Sequence, residues 1–269
     1  MMTNTDNIHD RLKAICLFLS DYSTNMLSAG ATTSRIERCV GRIARAYDVE
    51  VDLSILPTRI LINVWDKQCE HSYNQVGRTQ LGGINLNTTA KLSQLSHKIE
   101  EWCPTVKDAC MPVREATEEM LAIVSEPRIN HHEVVLLTSL ANLSFCQLFG
   151  GDCTAMGIVF VSTAVGFYYK TLMLRWHIES RIVTIIAGLI SAIIGASGFI
   201  FGISETPETA LATSVLWLVP GIRFINAMSD MLCGHHLVAQ SRLAEAVITT
   251  ICLSIGLCLA LLITQIEWR

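Results

Sequence analysis

The second half of the chain carries five apolar runs in which charge is sparse, and that pattern leaves few folds open. Residues 133–269 hold 6 of the 20 lysines and arginines and 8 of the 24 acids; residues 1–132 hold the other 14 and 16. The first half has the charge density of a water-soluble domain, the second that of a membrane bundle. The runs cover 134–149, 153–174, 182–203, 210–232 and 243–266. A bilayer span needs about 20 apolar residues. The expected fold class is a membrane protein, with a small cytoplasmic α+β domain over 1–130 followed by an α-helical bundle of five transmembrane helices over 131–269. Each half sits near a net charge of −2, which excludes a basic nucleic-acid binder.

The connections between runs set an orientation. Lys170, Arg175 and Arg181 lie around the second connection, and Arg223 and Arg242 flank the fourth. The first has Asp152 and the third has Glu205 and Glu208, with no base in either. Positive residues favour the cytoplasmic side. The amino-terminal domain is therefore expected in the cytoplasm and the carboxyl end outside, in a multi-pass inner-membrane protein. The ten cysteines are scattered without zinc-finger spacing and read as reduced thiols.

The run Ala210–Leu232 is broken by Pro220-Gly221 and continues with Arg223, Asn226 and Asp230 at spacings of i, i+3 and i+7, one face of a helix. Charges at membrane depth face a bundle interior or a watery path, and broken helices with exposed backbone groups recur at transport sites. Pro220, Gly221, Arg223, Asn226 and Asp230 are thus the candidate solute-binding residues. Asp152, after Gly150-Gly151, is either a turn carboxylate or a gate and proton acceptor; Asp230 is the second candidate for proton coupling. Gly188, Ser191, Gly195, Gly198 and Gly202 form a small-residue seam, read as helix packing.

In the first half, helical periodicity over 9–28 ends at Ser28-Ala29-Gly30-Ala31. A second helix starts near Thr32 or Thr33, with Thr33 the expected N-cap, Arg35, Arg38, Arg42 and Arg45 as a basic stripe and Glu37 early in the helix. Extended runs over 49–56, 59–65 and 70–79 follow. Helices are expected over 86–102, capped by Asn87 or Thr88, and over 106–124, bent at Pro112. The glycine turn before Thr33 is a place where backbone N–H groups can hold an anion, although a plain helix cap is the preferred reading. His131-His132-Glu133 and Cys233-Gly234-His235-His236 lack metal-ligand spacing, so no metal is expected. No cofactor is expected, and no Gly-x-Ser-x-Gly nucleophile elbow occurs.

The segment GATTSRIERCVGRIARAYDV, the stretch from Arg78 to Gly83-Ile84-Asn85, the turn Phe149-Gly150-Gly151-Asp152, and Val219-Pro220-Gly221 with Asp230 and Gly234 occur in one order. With them the chain resembles the threonine/serine exporter family, and more closely the larger subunit of its two-subunit form. The resemblance covers nearly the full chain. It implies a cytoplasmic domain followed by about five spans and a separate small integral-membrane partner subunit, and it leaves a homo-oligomer open. It also implies a small carboxylate-bearing solute, with threonine and serine for single-chain relatives and succinate for the two-chain form. Arg223 is the residue that could hold such a carboxylate bidentately. Arg35, Glu37, Arg78 and Asn85 are the candidate functional residues of the cytoplasmic domain. The expected function is that of an ion-coupled exporter subunit rather than an enzyme. The alternatives are a membrane-tethered hydrolase-like enzyme and a regulatory or scaffolding subunit.

Overall fold

The computed structural model describes residues 2–67, 71–79, 83–102, 111–127 and 129–265, and the side chains from residue 9 onward. The described residues are 74% helical, with one three-stranded sheet among them. Its contacts divide it into two units. The first is Met1–Pro127 with Phe224–Leu243; the second is Arg128–Arg223 with Ala244–Arg269.

In the first unit, α1 (Met2–Ser28) buries Leu12, Ile15, Cys16, Leu19, Tyr22 and Met26 along one stripe, the positions that the 3.6-residue period selects. It ends in a Schellman motif. Gly30 takes φ +86°, its N–H reaches the Leu27 carbonyl at 3.1 Å, and the Ala31 N–H reaches Met26 at 3.1 Å. The strands β1 (Val49–Ile55), β2 (Arg59–Asp66) and β3 (Ser72–Arg78) form an antiparallel meander in the order β1-β2-β3. Alternation puts Ile60, Ile62 and Val64 into the core. At Gly77 a β-carbon would lie 2.5 Å from Thr24 Cγ2, so only glycine lets β3 come this close to α1. Helix α2 (Thr33–Ala46) and helix α3 (Leu86–Trp102) complete the layer with α4 (Val113–Ser125). Tyr22 donates its hydroxyl proton to the Leu92 carbonyl at 2.7 Å, fixing α3 against α1.

Two local expectations need correction. The N-cap of α3 is Asn85, whose Oδ1 accepts from the Thr88 N–H at 3.2 Å while its own N–H donates to the Ala29 carbonyl. The last helix of this layer begins after Pro112 rather than bending there; the preceding 103–110 lie outside the described residues.

The second unit contains α5 (His131–Leu148), α6 (Cys153–Arg175), α7 (Ser180–Gly195), α8 (Ser197–Phe201), α9 (Pro207–Ser214) and a 3-10 turn at Leu216–Leu218. The first residues of α10 (Gly221–Leu232) and most of α11 (His236–Thr264) also belong to it. Among the described residues, three stretches are long and apolar enough to cross a membrane: Cys153–Arg175, Ser180–Phe201 and His236–Thr264. A fourth exists if the broken pair Pro207–Leu218 and Gly221–Leu232 counts as one span. Helix α5 falls short because His131, His132, Glu133, Asn142 and Gln147 interrupt its apolar run.

The small-residue seam packs helices. A β-carbon on Gly195 would lie 2.4 Å from Ser214 Oγ, one on Gly166 2.1 Å from Ser191 Oγ, and one on Gly256 2.4 Å from the Ile185 carbonyl oxygen. In an apolar solvent, close approach through small residues is what associates helices.

Candidate functional site

The polar stripe on α10 lies partly in each unit. Asn226 and Asp230 belong to the first, where they meet the turn that ends α1 and starts α2. Asp230 is fully buried. Its Oδ1 accepts from the Thr33 N–H at 2.8 Å, and its Oδ2 from Arg242 Nη1 at 2.7 Å. Arg242 Nη2 also donates to the Ala31 carbonyl at 2.7 Å, and Asn226 Nδ2 to the Gly30 carbonyl at 2.9 Å. One turn therefore offers two carbonyls to cationic or amide donors and one N–H to a carboxylate.

This arrangement explains a missing cap. The N-cap of α2 is Thr32 rather than Thr33, and its side chain makes no capping bond. The first N–H groups of a helix need acceptors, and the positive end of its dipole favours an anion. Asp230, 197 residues away along the chain, supplies both. The anion-holding turn read from the sequence thus holds a carboxylate of the protein itself. Beside it, Glu37 faces His235, Oε2 to Nε2 at 3.2 Å.

Arg223 belongs to the second unit and is exposed. It follows the break: Val219 is extended at φ −63° and ψ 126°, and α10 starts at Gly221. Lys170 of α6 stands close enough to Arg223 for the two cations to act on each other. Lys170 Nζ lies 5.2 Å from the centre of the Trp217 ring, and Phe167 packs on the same ring at 5.4 Å. Deeper in this unit the polar side chains are paired. Trp217 Nε1 donates to Ser191 Oγ at 3.3 Å, and Ser162 Oγ donates to the Ser191 carbonyl at 2.8 Å. Buried Asn142 donates to Thr163 Oγ1 at 2.7 Å and to the Thr213 carbonyl at 3.0 Å. Two cations and an indole beside the helix break are the chemistry that can hold a small anion.

Asp152 is the N-cap of α6, with Oδ1 accepting from Ala155 N–H at 3.2 Å. The same oxygen accepts from Ser204 Oγ at 2.6 Å and Thr206 Oγ1 at 2.7 Å, joining the 150–152 turn to the 204–206 loop. These hydroxyl and backbone donors hold its carboxyl far below the usual carboxylate range.

The remaining predicted residues are dispersed. Asn85 caps α3, Arg78 ends β3 on its exposed side, and Arg35 lies exposed on α2. Sequence reasoning counted Lys170 and Arg242 only as topological markers and passed over Trp217, Asn142 and Thr163. Asn142 within an apolar helix was the one signal available for the last group.

The apolar helices define a multi-pass membrane protein, and its family and relatives place it in the transporter class rather than among enzymes. The family model described as "Putative threonine/serine exporter" matches residues 18–264, and the chain belongs to that family. Among curated proteins it is 26% identical over 241 residues to the "Probable succinate transporter subunit YjjP" of Klebsiella aerogenes, covering 88% of each chain. It is also 26% identical over 243 residues to the protein of the same name from Escherichia coli K12, covering 88% of this chain and 90% of that one. No solved structure matches it.

Proposed function

We propose that this chain is one subunit of an inner-membrane exporter of small carboxylate-bearing solutes, working with a small integral-membrane partner. Succinate is the leading solute, since both relatives are named for it; threonine and serine follow from the family description. The reading has five spans, α5 serving as the first where its polar residues face other helices. It keeps the amino-terminal unit in the cytoplasm, the carboxyl end outside, and an ion gradient as the drive.

The observation that carries the reading is the cation pair beside the helix break: Lys170 over Trp217 with Arg223 nearby. A dicarboxylate needs two cationic partners, and a fork-shaped guanidinium matches one carboxylate. Arg223, Pro220 and Gly221 then act at the solute, while Asn226 and Asp230 tie α10 to the Gly30–Thr33 turn. Asp152 acts as a latch between two loops, which keeps the gate reading and leaves proton transfer to another group.

The test is succinate, threonine and serine efflux in cells carrying this chain with its small membrane partner. Lys170→Gln and Arg223→Gln should each slow efflux of the true solute about tenfold, the worth of one charge-assisted hydrogen bond. Normal efflux from both variants at wild-type abundance would remove these residues from the path.

A further inference from the structure

The transport reading makes no use of the basic stripe of α2. Arg35, Arg38 and Arg42 turn toward α3 and, with Ser93 and His97, line a cleft of about 350 Å³. That volume is at the small end of metabolite sites. Like charges at these spacings destabilise a helix, so the stripe calls for compensation. Arg42 has it: Nε pairs with Glu100 Oε2 at 3.1 Å, and Nη1 donates to Ser96 Oγ at 2.7 Å. Arg45 shares the same carboxylate at 3.3 Å. Among the described residues, no carboxylate lies within ion-pair reach of Arg35 or Arg38, and both are exposed. Arg38 is steadied by its own helix, Nε donating to the Ser34 carbonyl at 3.2 Å.

A cleft with two uncompensated guanidinium groups, a third held rigidly behind them, a hydroxyl and an imidazole is shaped for a small anion. We propose that the α2–α3 cleft of the first unit binds a soluble polyanion of metabolite size, one bearing phosphate or two to three carboxylates. The ligand completes the charge balance of α2. That helix also presents Thr33 to Asp230, so an occupied cleft and the α10 junction share one element.

The test is independent of transport. The full chain is purified in uncharged detergent and titrated calorimetrically with inorganic phosphate and with citrate, against sodium chloride at matched ionic strength. Saturable binding of either probe is expected, weakened about tenfold or more in Arg35→Gln/Arg38→Gln. Arg114→Gln, at a surface arginine paired with Glu118 at 3.0 Å and outside the cleft, should bind as the wild type does. His97→Gln gives a second, milder lesion of the same wall. No saturable binding beyond the chloride control, or equal binding by the double variant, overturns the proposal. So does a response confined to micelles containing an anionic phospholipid, which would assign the arginines to a headgroup instead.

Discussion

Asp230 has no exposure to solvent, and its charge is answered by Arg242, whose side chain is 17% exposed, and by one backbone N–H. Removing one partner of such a pair leaves the other charge uncompensated, at a cost of about 3 kcal/mol or more. Asp230→Asn should therefore lower the melting temperature of the purified protein markedly. Asp230→Asn/Arg242→Met should recover part of the loss, because no unanswered charge then remains. An additive double variant would mean that the two side chains do not act as a pair. Asp152 gives a pH prediction with a definite sign. Its folded pKa is depressed by the Ser204 and Thr206 hydroxyls. Its contribution is then complete above the unfolded carboxylate value near ~3.9 and fades as pH falls below it. Asp152→Asn should be less thermostable than the wild type by a constant margin between about pH 5 and 8, and the margin should shrink below about pH 4.

At the scale of elements, the glycines set how closely helices meet. A β-carbon on Gly256 would strike the Ile185 carbonyl oxygen at 2.4 Å and lie 3.0 Å from the Leu189 nitrogen, both backbone atoms that no rotamer change can move. Gly157 has open space where its β-carbon would be. Gly256→Ala should destabilise by about 1–3 kcal/mol, read as earlier thermal aggregation in detergent, while Gly157→Ala should be silent or mildly stabilising. Equal behaviour of the two would show that α7 and α11 do not pack through this seam. The seam itself was legible in the spacing of Gly188, Ser191 and Gly195. Its partners, Leu253 for Gly188, Ser162 for Ser191 and Ser214 for Gly195, were not, because spacing identifies a face and says nothing of what covers it.

For the whole molecule, the proposed topology can be probed through its own thiols. The described cysteines are all free, and Cys153 and Cys233 are exposed. In single-cysteine variants in intact cells, a membrane-impermeant maleimide should label Cys153, beside the base-free 150–152 turn. It should leave Cys233, near Arg242, unlabelled until the membrane is opened. Labelling of Cys233 in intact cells would invert the orientation. A fourth candidate span depends on joining the two pieces flanking Pro220, so this labelling also asks whether the broken segment crosses or returns.

Sequence periodicity alone decided the stripe of α1, the three strands and the long apolar helices, since these depend on which residues follow one another within a turn or a strand pair; the family was carried by short motifs in a fixed order. Tertiary structure alone decided that Asp230 caps α2 through Thr33, that Phe224–Leu243 groups with the first unit, and that Lys170 stands over Trp217 beside Arg223. The physical reason is range. A helix cap from 197 residues away obeys the same demand for an acceptor as a local one. Only the folded backbone determines which carboxylate arrives.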